Sequence, residues 1–351
     1  MRTTVLDQMI DIAERDLKIS IRKNLGPNSP NSQRAHHPKY GMDALCRLFS
    51  RTRQAYYERL KYKVIKMLES DIILSMAREA RVDFPRMGAN KVRMYLRPRF
   101  EVMGIDIGRD AFAGLLADHH MLANRKRSKR KTTFSHHRYY KYPNLIRDYT
   151  PIAPNQLWVS DITYIEVGYG FVYLSLITDA YSCKIVGWDL SRDLSSAGAP
   201  RALRMALRAL PGGSSLIHHS DRGVQYCHSA YVKGLDKRNI LISMTESGDT
   251  LENAMAERVN GILKNEWIYK RHLKSWHDAQ SYVEKIIGLY NNQRPHQSIS
   301  FLTPDLVHRS AISTESKWKN YYPQKSKEGI GPNLSFDTES QAITGNEVKS
   351  L

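Results

Sequence analysis

The run Leu157-Trp158-Val159-Ser160-Asp161-Ile162-Thr163-Tyr164-Ile165-Glu166 is β-branched and aromatic, and it reads as a β-strand. Val167-Gly168-Tyr169-Gly170 then turns the chain into a second strand, Phe171-Val172-Tyr173-Leu174-Ser175-Leu176-Ile177-Thr178. A third strand over 185–190 completes an antiparallel meander. Beyond it the texture alternates. A helix over about 196–209 stops at Pro211-Gly212-Gly213, followed by strand 215–219, helix 228–238, strand 240–244 and a long helix over about 251–269.

Three antiparallel strands followed by alternating helices and strands is the order of the ribonuclease-H-like fold, an order that other mixed α/β folds can share. One residue in the first strand is out of place. Asp161 interrupts an apolar strand, where an aspartate is disfavoured and costly to bury unless it is paired or metal-bound. Asp221 closes Leu216-Ile217-His218-His219-Ser220-Asp221 at a strand's C-terminal end, where side chains face a cleft. Glu257 lies on the long helix, with Gly261 and Lys264 on its own face at i+4 and i+7. Singly, each carboxylate reads as a solvated or capping residue. Together they form an ordered acidic set, with thirty-five residues between Asp221 and Glu257.

The first half of the chain has a different composition. Of a net charge of +18, residues 1–150 carry 31 basic and 15 acidic residues, or +16, which leaves +2 for the remainder. Such asymmetry suits a DNA-holding region joined to a near-neutral one. Residues 1–40 read as an amphipathic helix and a flexible connection, with a short dimerising coiled coil as one reading of the helix. Residues 41–124 read as helical. Within them, helices over 42–49 and 52–60 around Ser50-Arg51 suit a helix-turn-helix, whose second helix would turn Arg51, Arg53, Gln54 and Tyr57 to the major groove. An ordinary helical hairpin has the same pattern. Further helices over 62–82, 89–97 and 109–122 hold Lys91, Arg93, Arg97, Arg99 and Arg109 among apolar residues, consistent with a second DNA-binding bundle. Residues 125–150 read as a linker. It opens with Arg125, Lys126, Arg127, Lys129, Arg130 and Lys131, six positive charges in seven residues, able to displace counterions from a phosphate backbone. Residues 151–310 read as the ribonuclease-H-like region, and 311–351 as a partly disordered extension.

Four blocks now carry a resemblance. Trp158 to Tyr164, His219-Ser220-Asp221-Arg222-Gly223-Val224-Gln225-Tyr226, Asn253-Ala254-Met255-Ala256-Glu257 through Leu263-Lys264, and Tyr290-Asn291-Asn292-Gln293-Arg294-Pro295-His296-Gln297-Ser298 resemble, in order, the motifs of the IS-three family of insertion-sequence transposases. The likeness is to the product of the family's second reading frame, with a retroviral-integrase-like core. It implies a ribonuclease-H-like catalytic domain with Asp161, Asp221 and Glu257 as its catalytic, metal-holding triad. Lys264 is implied as the basic residue that meets DNA. It further implies metal-dependent cleavage and strand transfer of double-stranded DNA, both element ends and target, by a homo-multimer, with an upstream-frame DNA-binding protein as a possible partner. Carboxylates are hard oxygen ligands suited to Mg²⁺ or Mn²⁺, and two such ions roughly 3.5–4 Å apart activate a nucleophilic oxygen and stabilise the leaving one.

Two departures from the family stand out: Leu251-Glu252 replaces a Tyr-Asp pair, and Arg258-Val259 replaces a small-aromatic pair. Glu252 is a rival carboxylate, but five residues rotate it about 140° away from Glu257 on a helix. His218 and His219 read as structural or as neighbours of the metals. His36-His37 and His119-His120, with only Cys46 in that half, do not compose a zinc set. No apolar run reaches the roughly 18 residues of a membrane span, and the scattered cysteines fit a reducing, cytoplasmic setting. Two other readings remain at this point. One is a non-catalytic DNA-binding protein or transposase remnant, the other a structure-selective nuclease on the same fold.

Overall fold

The computed structural model describes residues 52–123, 139–168, 170–194, 197–246 and 253–312. Three helices come first: α1 (Arg53–Asp83), α2 (Ala89–Met103) and α3 (Arg109–Asp118). The sheet region follows as β1 (Leu157–Val167), β2 (Gly170–Asp179), β3 (Ile185–Ser191), α4 (Gly198–Ala209), β4 (Ile217–Ser220), α5 (Val224–Cys227), α6 (Ser229–Asp236), β5 (Leu241–Met244) and α7 (Ala254–Glu266). It ends with α8 (Trp276–Asn292) and α9 (Pro304–Ser310).

The five strands lie in the order β3-β2-β1-β4-β5. β1 pairs antiparallel with β2 and parallel with β4, so it is central and needs apolar residues on both faces. One face is covered by α4 and α6, with Trp158, Ile177, Ala202, Ala206, Tyr231 and Leu235 in a shared cluster. Gly187 on β3 makes this close approach possible, because a Cβ there would collide with the Ala202 carbonyl oxygen. The opposite face is covered by α7 and α8.

That second layer does not stop at the sheet. Ile165, Leu174, Leu263, Trp267 and Ile286 lie in one cluster with Leu74, Phe84, Leu96, Phe100 and Phe112 of the first three helices. The joint is specific: the Trp267 indole N–H donates to the Asp83 carbonyl at 2.6 Å, and Lys285 pairs with Asp83 at 3.1 Å. The basic helical region and the sheet therefore share a core despite their different charge.

The structure corrects several sequence boundaries. Helix 52–60 and block 62–82 are one 31-residue helix, α1, started by Thr52, whose hydroxyl accepts from Ala55 N. Nothing between residues 60 and 62 breaks a helix, so the two stretches run on as one, while the Ser50-Arg51 turn of the expected helix-turn-helix lies outside the described residues. The first helix of that unit, 42–49, lies outside the described residues, as do residues 1–40. Helix α2 runs on through Pro98, because the stripe Val92, Leu96 and Phe100 keeps the same face buried beyond it. Helix 109–122 ends early, at Asp118. The loop after Asp221 holds the one-turn α5, and the region after 270 adds α8 and α9.

Candidate active site

The registers of the two central strands bring Asp161 and Asp221 together. Ser160 pairs with Ser220 as the last step of the parallel β1–β4 ladder, so the two aspartates are the next residues on neighbouring strands and point to the same face. Past that step β4 turns away and leaves the edge of β1 open. Each carboxylate is held. Asp161 Oδ1 accepts from Ile162 N at 2.9 Å and Oδ2 from Asn260 Nδ2 at 2.7 Å. Asp221 Oδ1 accepts from Gly223 N at 3.0 Å.

Helix α7 covers the open edge. The Asn253 amide, just before it, donates to the Ser160 carbonyl at 3.0 Å and ties the helix start to β1 one residue before Asp161. Glu257 stands exposed in the first turn, and Asn260, three residues on, reaches Asp161. Burial, then the negative charge of Asp221 and, less strongly, of Glu257, push the Asp161 carboxyl up to about 7, against its bonds to Asn260 and Ile162. Among the described residues no three His, Cys, Asp or Glu side chains are close enough to enclose an ion as they stand. What is assembled is an aspartate pair, with Glu257 in electrostatic reach.

Residues 151–250 and 238–304 match two integrase core domain families. An insertion element IS600 protein of 31 kDa from Shigella sonnei is 33% identical over 262 residues, covering 74% of this chain and 96% of that protein. The chain belongs to the insertion-sequence transposases with an integrase core. The transposase for insertion sequence IS629 of Shigella sonnei is also 33% identical, over 57% of this chain and 68% of its own length. Transposase InsF of insertion sequence IS3A from Escherichia coli K12 is 27% identical over 77% of this chain and 94% of its own, in keeping with the IS-three family.

Other residues singled out in the transposase sequence fall into place around the pair. Lys264, two turns from Glu257, is half-buried, with its ammonium 4.6 Å from the centre of the Tyr164 ring. Burial lowers its pKa, and the charge of Asp161 opposes the shift. His218 and His219 lie inside the sheet. The His218 Nε2 meets Ser160 Oγ at 2.7 Å and Tyr231 OH at 2.8 Å, and burial drives its pKa down to about 3, so the ring is neutral. His219 Nδ1 meets Ser243 Oγ at 2.8 Å.

The Tyr290–Ser298 block is scaffold. Arg294 is fully buried and grips Glu266, the last residue of α7, through two bonds of 2.7 Å, while Lys91 of α2 reaches the same carboxylate at 3.4 Å. Asn291 holds both the N–H and the C=O of Ile185 on β3.

Among the residues expected to meet DNA, Arg53 and Gln54 are exposed at the start of α1, where the Gln54 amide donates to Glu58. Arg51 and Arg125, Lys126, Arg127, Lys129, Arg130 and Lys131 lie outside the described residues, as does Glu252. In the bundle Arg97, Arg99 and Arg109 pair with Glu101, Glu79 and Asp110 on the surface, contacts weak enough to be exchanged for phosphate. Asn253, Asn260 and Tyr164 were not among the site residues expected from sequence. For Asn260 the signal was present: i+3 from Glu257 places it near the same face. No described helix is long and apolar enough to cross a membrane.

Proposed function

We propose that this transposase cleaves the DNA at the ends of its insertion sequence and joins those ends to target DNA, with Asp161, Asp221 and Glu257 as its acidic catalytic set. The observation that carries the assignment is the placement of Asp161 and Asp221 one residue beyond the last pair of the parallel β1–β4 ladder, next to the helix that bears Glu257. The donor set fits hard divalent cations. It consists of carboxylate oxygens, and Asp161, raised by burial first and then by the charge of Asp221, is a carboxylate that a bound cation would hold ionised. Mg²⁺ or Mn²⁺, two ions in our reading, would supply activation of the attacking oxygen and stabilisation of the leaving one.

The chain's own residues do the rest. Asn260 and the Ile162 N–H fix Asp161, Gly223 N fixes Asp221, and Asn253 ties the start of α7, the helix that bears Glu257, to β1. Lys264, steadied on Tyr164, offers a phosphate contact beside the site rather than a proton, since it lies about 10 Å along the helix from Glu257. In cutting, water attacks a phosphodiester in line and the 3′-oxygen leaves as a free 3′-hydroxyl; in joining, that hydroxyl attacks a target phosphodiester in line and displaces the target's own 3′-oxygen. The basic first half holds the element ends, and the chain works as a multimer on DNA, with an upstream-frame product as a possible partner. No observation favours a non-catalytic remnant: all three carboxylates are in place in the chain.

The test is a strand-transfer assay with the full chain, a duplex from the DNA flanking its reading frame, and a plasmid target. Joined product with Mg²⁺ or Mn²⁺ and none with chelator supports the reading. Cleavage without joining points to a nuclease, and binding without cleavage to a remnant.

A further inference from the structure

Tyr226 lies in α5, five residues after Asp221. It is 3% exposed, and its hydroxyl is buried with no hydrogen-bond partner among the described residues. An unsatisfied buried hydroxyl is destabilising, a cost that phenylalanine in the same space would not carry. Its neighbour shows the contrast. The Tyr231 hydroxyl meets His218 Nε2 at 2.8 Å, and Ser160 meets the same nitrogen, so that part of the cluster is satisfied and Tyr226 is left over.

The ring cannot swing away to find water. Tyr231 packs edge-on against it at 5.3 Å between centroids, His218 lies tilted at 6.4 Å, and the backbone N–H of Tyr226 donates to the Gly223 carbonyl at 3.0 Å. Its ring also lies near Asp221, across Gly223. A methyl built on Gly223 would stand 2.9 Å from Asp221 Oδ1 and 3.6 Å from Tyr226 Cδ2. Burial first, then the charges of Asp161 and Asp221, hold the phenol well above its usual pKa, so it keeps its proton and remains a hydrogen-bond donor. Substrate cannot reach an atom this deeply buried, whereas the carboxylates can.

We propose that Tyr226 is a positioning residue of the aspartate pair, held behind it and donating a hydrogen bond into it when the site closes on DNA. The idea rests on Asp161 and Asp221 being the catalytic pair. A hydrogen bond to a charged group, contributing about 1.5–3 kcal/mol, converts to about ten- to a hundredfold in rate.

The experiment compares full-length wild type, Tyr226→Phe and Asp161→Asn. It measures kcat and KM for the flanking-DNA duplex, the Mg²⁺ concentration for half-maximal rate, and the melting temperature without metal. Tyr226→Phe should lower kcat about ten- to a hundredfold with KM unchanged and raise the half-maximal Mg²⁺ concentration. It should also melt at or above the wild-type temperature, since it removes an unsatisfied group. Wild-type kcat and Mg²⁺ dependence in Tyr226→Phe, with Asp161→Asn inactive, would overturn the proposal alone. Activity in Asp161→Asn would instead overturn the assignment of the pair. A lower melting temperature would also count against it, by showing that the hydroxyl is already bonded in the resting fold.

Discussion

Helix α7 carries a glutamate at each end, and their surroundings differ. Glu257, in the first turn, is exposed and in electrostatic reach of Asp161. Glu266, in the last turn, is buried, doubly bonded by Arg294 and approached by Lys91, and those partners hold its carboxyl below the usual range despite burial. At one end the carboxylate is exposed; at the other it is buried and locked. The lesson is that the same helix is anchored at Glu266, where the helical region, the sheet and the Arg294 segment meet, so that its other end can present a carboxylate to the aspartates.

The largest effects should come from the acidic pair. Asp161→Asn and Asp221→Asn should each reduce DNA cleavage by at least about a thousandfold, while gel-shift binding of the same duplex persists. Cleavage near the wild-type rate by either variant would remove that residue from the site. At the locked end the loss should be of stability instead. Glu266→Ala or Arg294→Ala breaks a buried ion pair and should cost about 3–5 kcal/mol in urea denaturation, whereas Glu257→Gln should stay within about 0.5 kcal/mol. Equal losses at the two ends would erase the contrast.

Protonation gives a third measure. The folded pKa of Asp161 lies at about 7, above its ordinary 3.8, so the folded state binds the proton more tightly than the unfolded chain does. Its contribution to the stability of the metal-free protein is therefore full below about pH 4 and is lost as pH rises towards 7, by at most about 1.4 kcal/mol per unit. Asp161→Asn lacks this titration. Its stability relative to wild type should climb between pH 4 and 7 and level off above, and a flat difference would show that Asp161 is not under this strain. The smallest effect should be at Lys264. There Lys264→Ala should lower end-specific transfer about tenfold with half-maximal Mg²⁺ unchanged, and Lys264→Arg should recover part of it; unimpaired transfer by the alanine variant would return the lysine to solvent.

Much of the sheet was legible because its signals are local. Alternating β-branched residues gave β1 to β3, and Pro211-Gly212-Gly213 marked the end of α4. Asp161 was conspicuous because a carboxylate in an apolar strand needs a reason. What the sequence did not disclose depends on distant packing. The helix expected over 89–97 runs on past Pro98, because burial of Phe100 in a core shared with Trp267 carries α2 beyond it. Arg294 belonged to a recognisable block, yet its role appears only when Glu266, 28 residues away, folds against it. Asn260 sits between these cases: its spacing from Glu257 was readable, its bond to Asp161 was not. The charge difference between the halves suggested separable modules, while the shared hydrophobic core ties them together.

The most direct measurement sets the two candidate glutamates against each other in one strand-transfer assay with Mg²⁺, full-length protein and the flanking-DNA duplex. Glu257→Gln should be folded, bind the duplex and yield no joined product, while Glu252→Gln should retain most wild-type activity. Joined product from Glu257→Gln, or its loss in Glu252→Gln, would contradict the assignment of the open end of α7 to the acidic site.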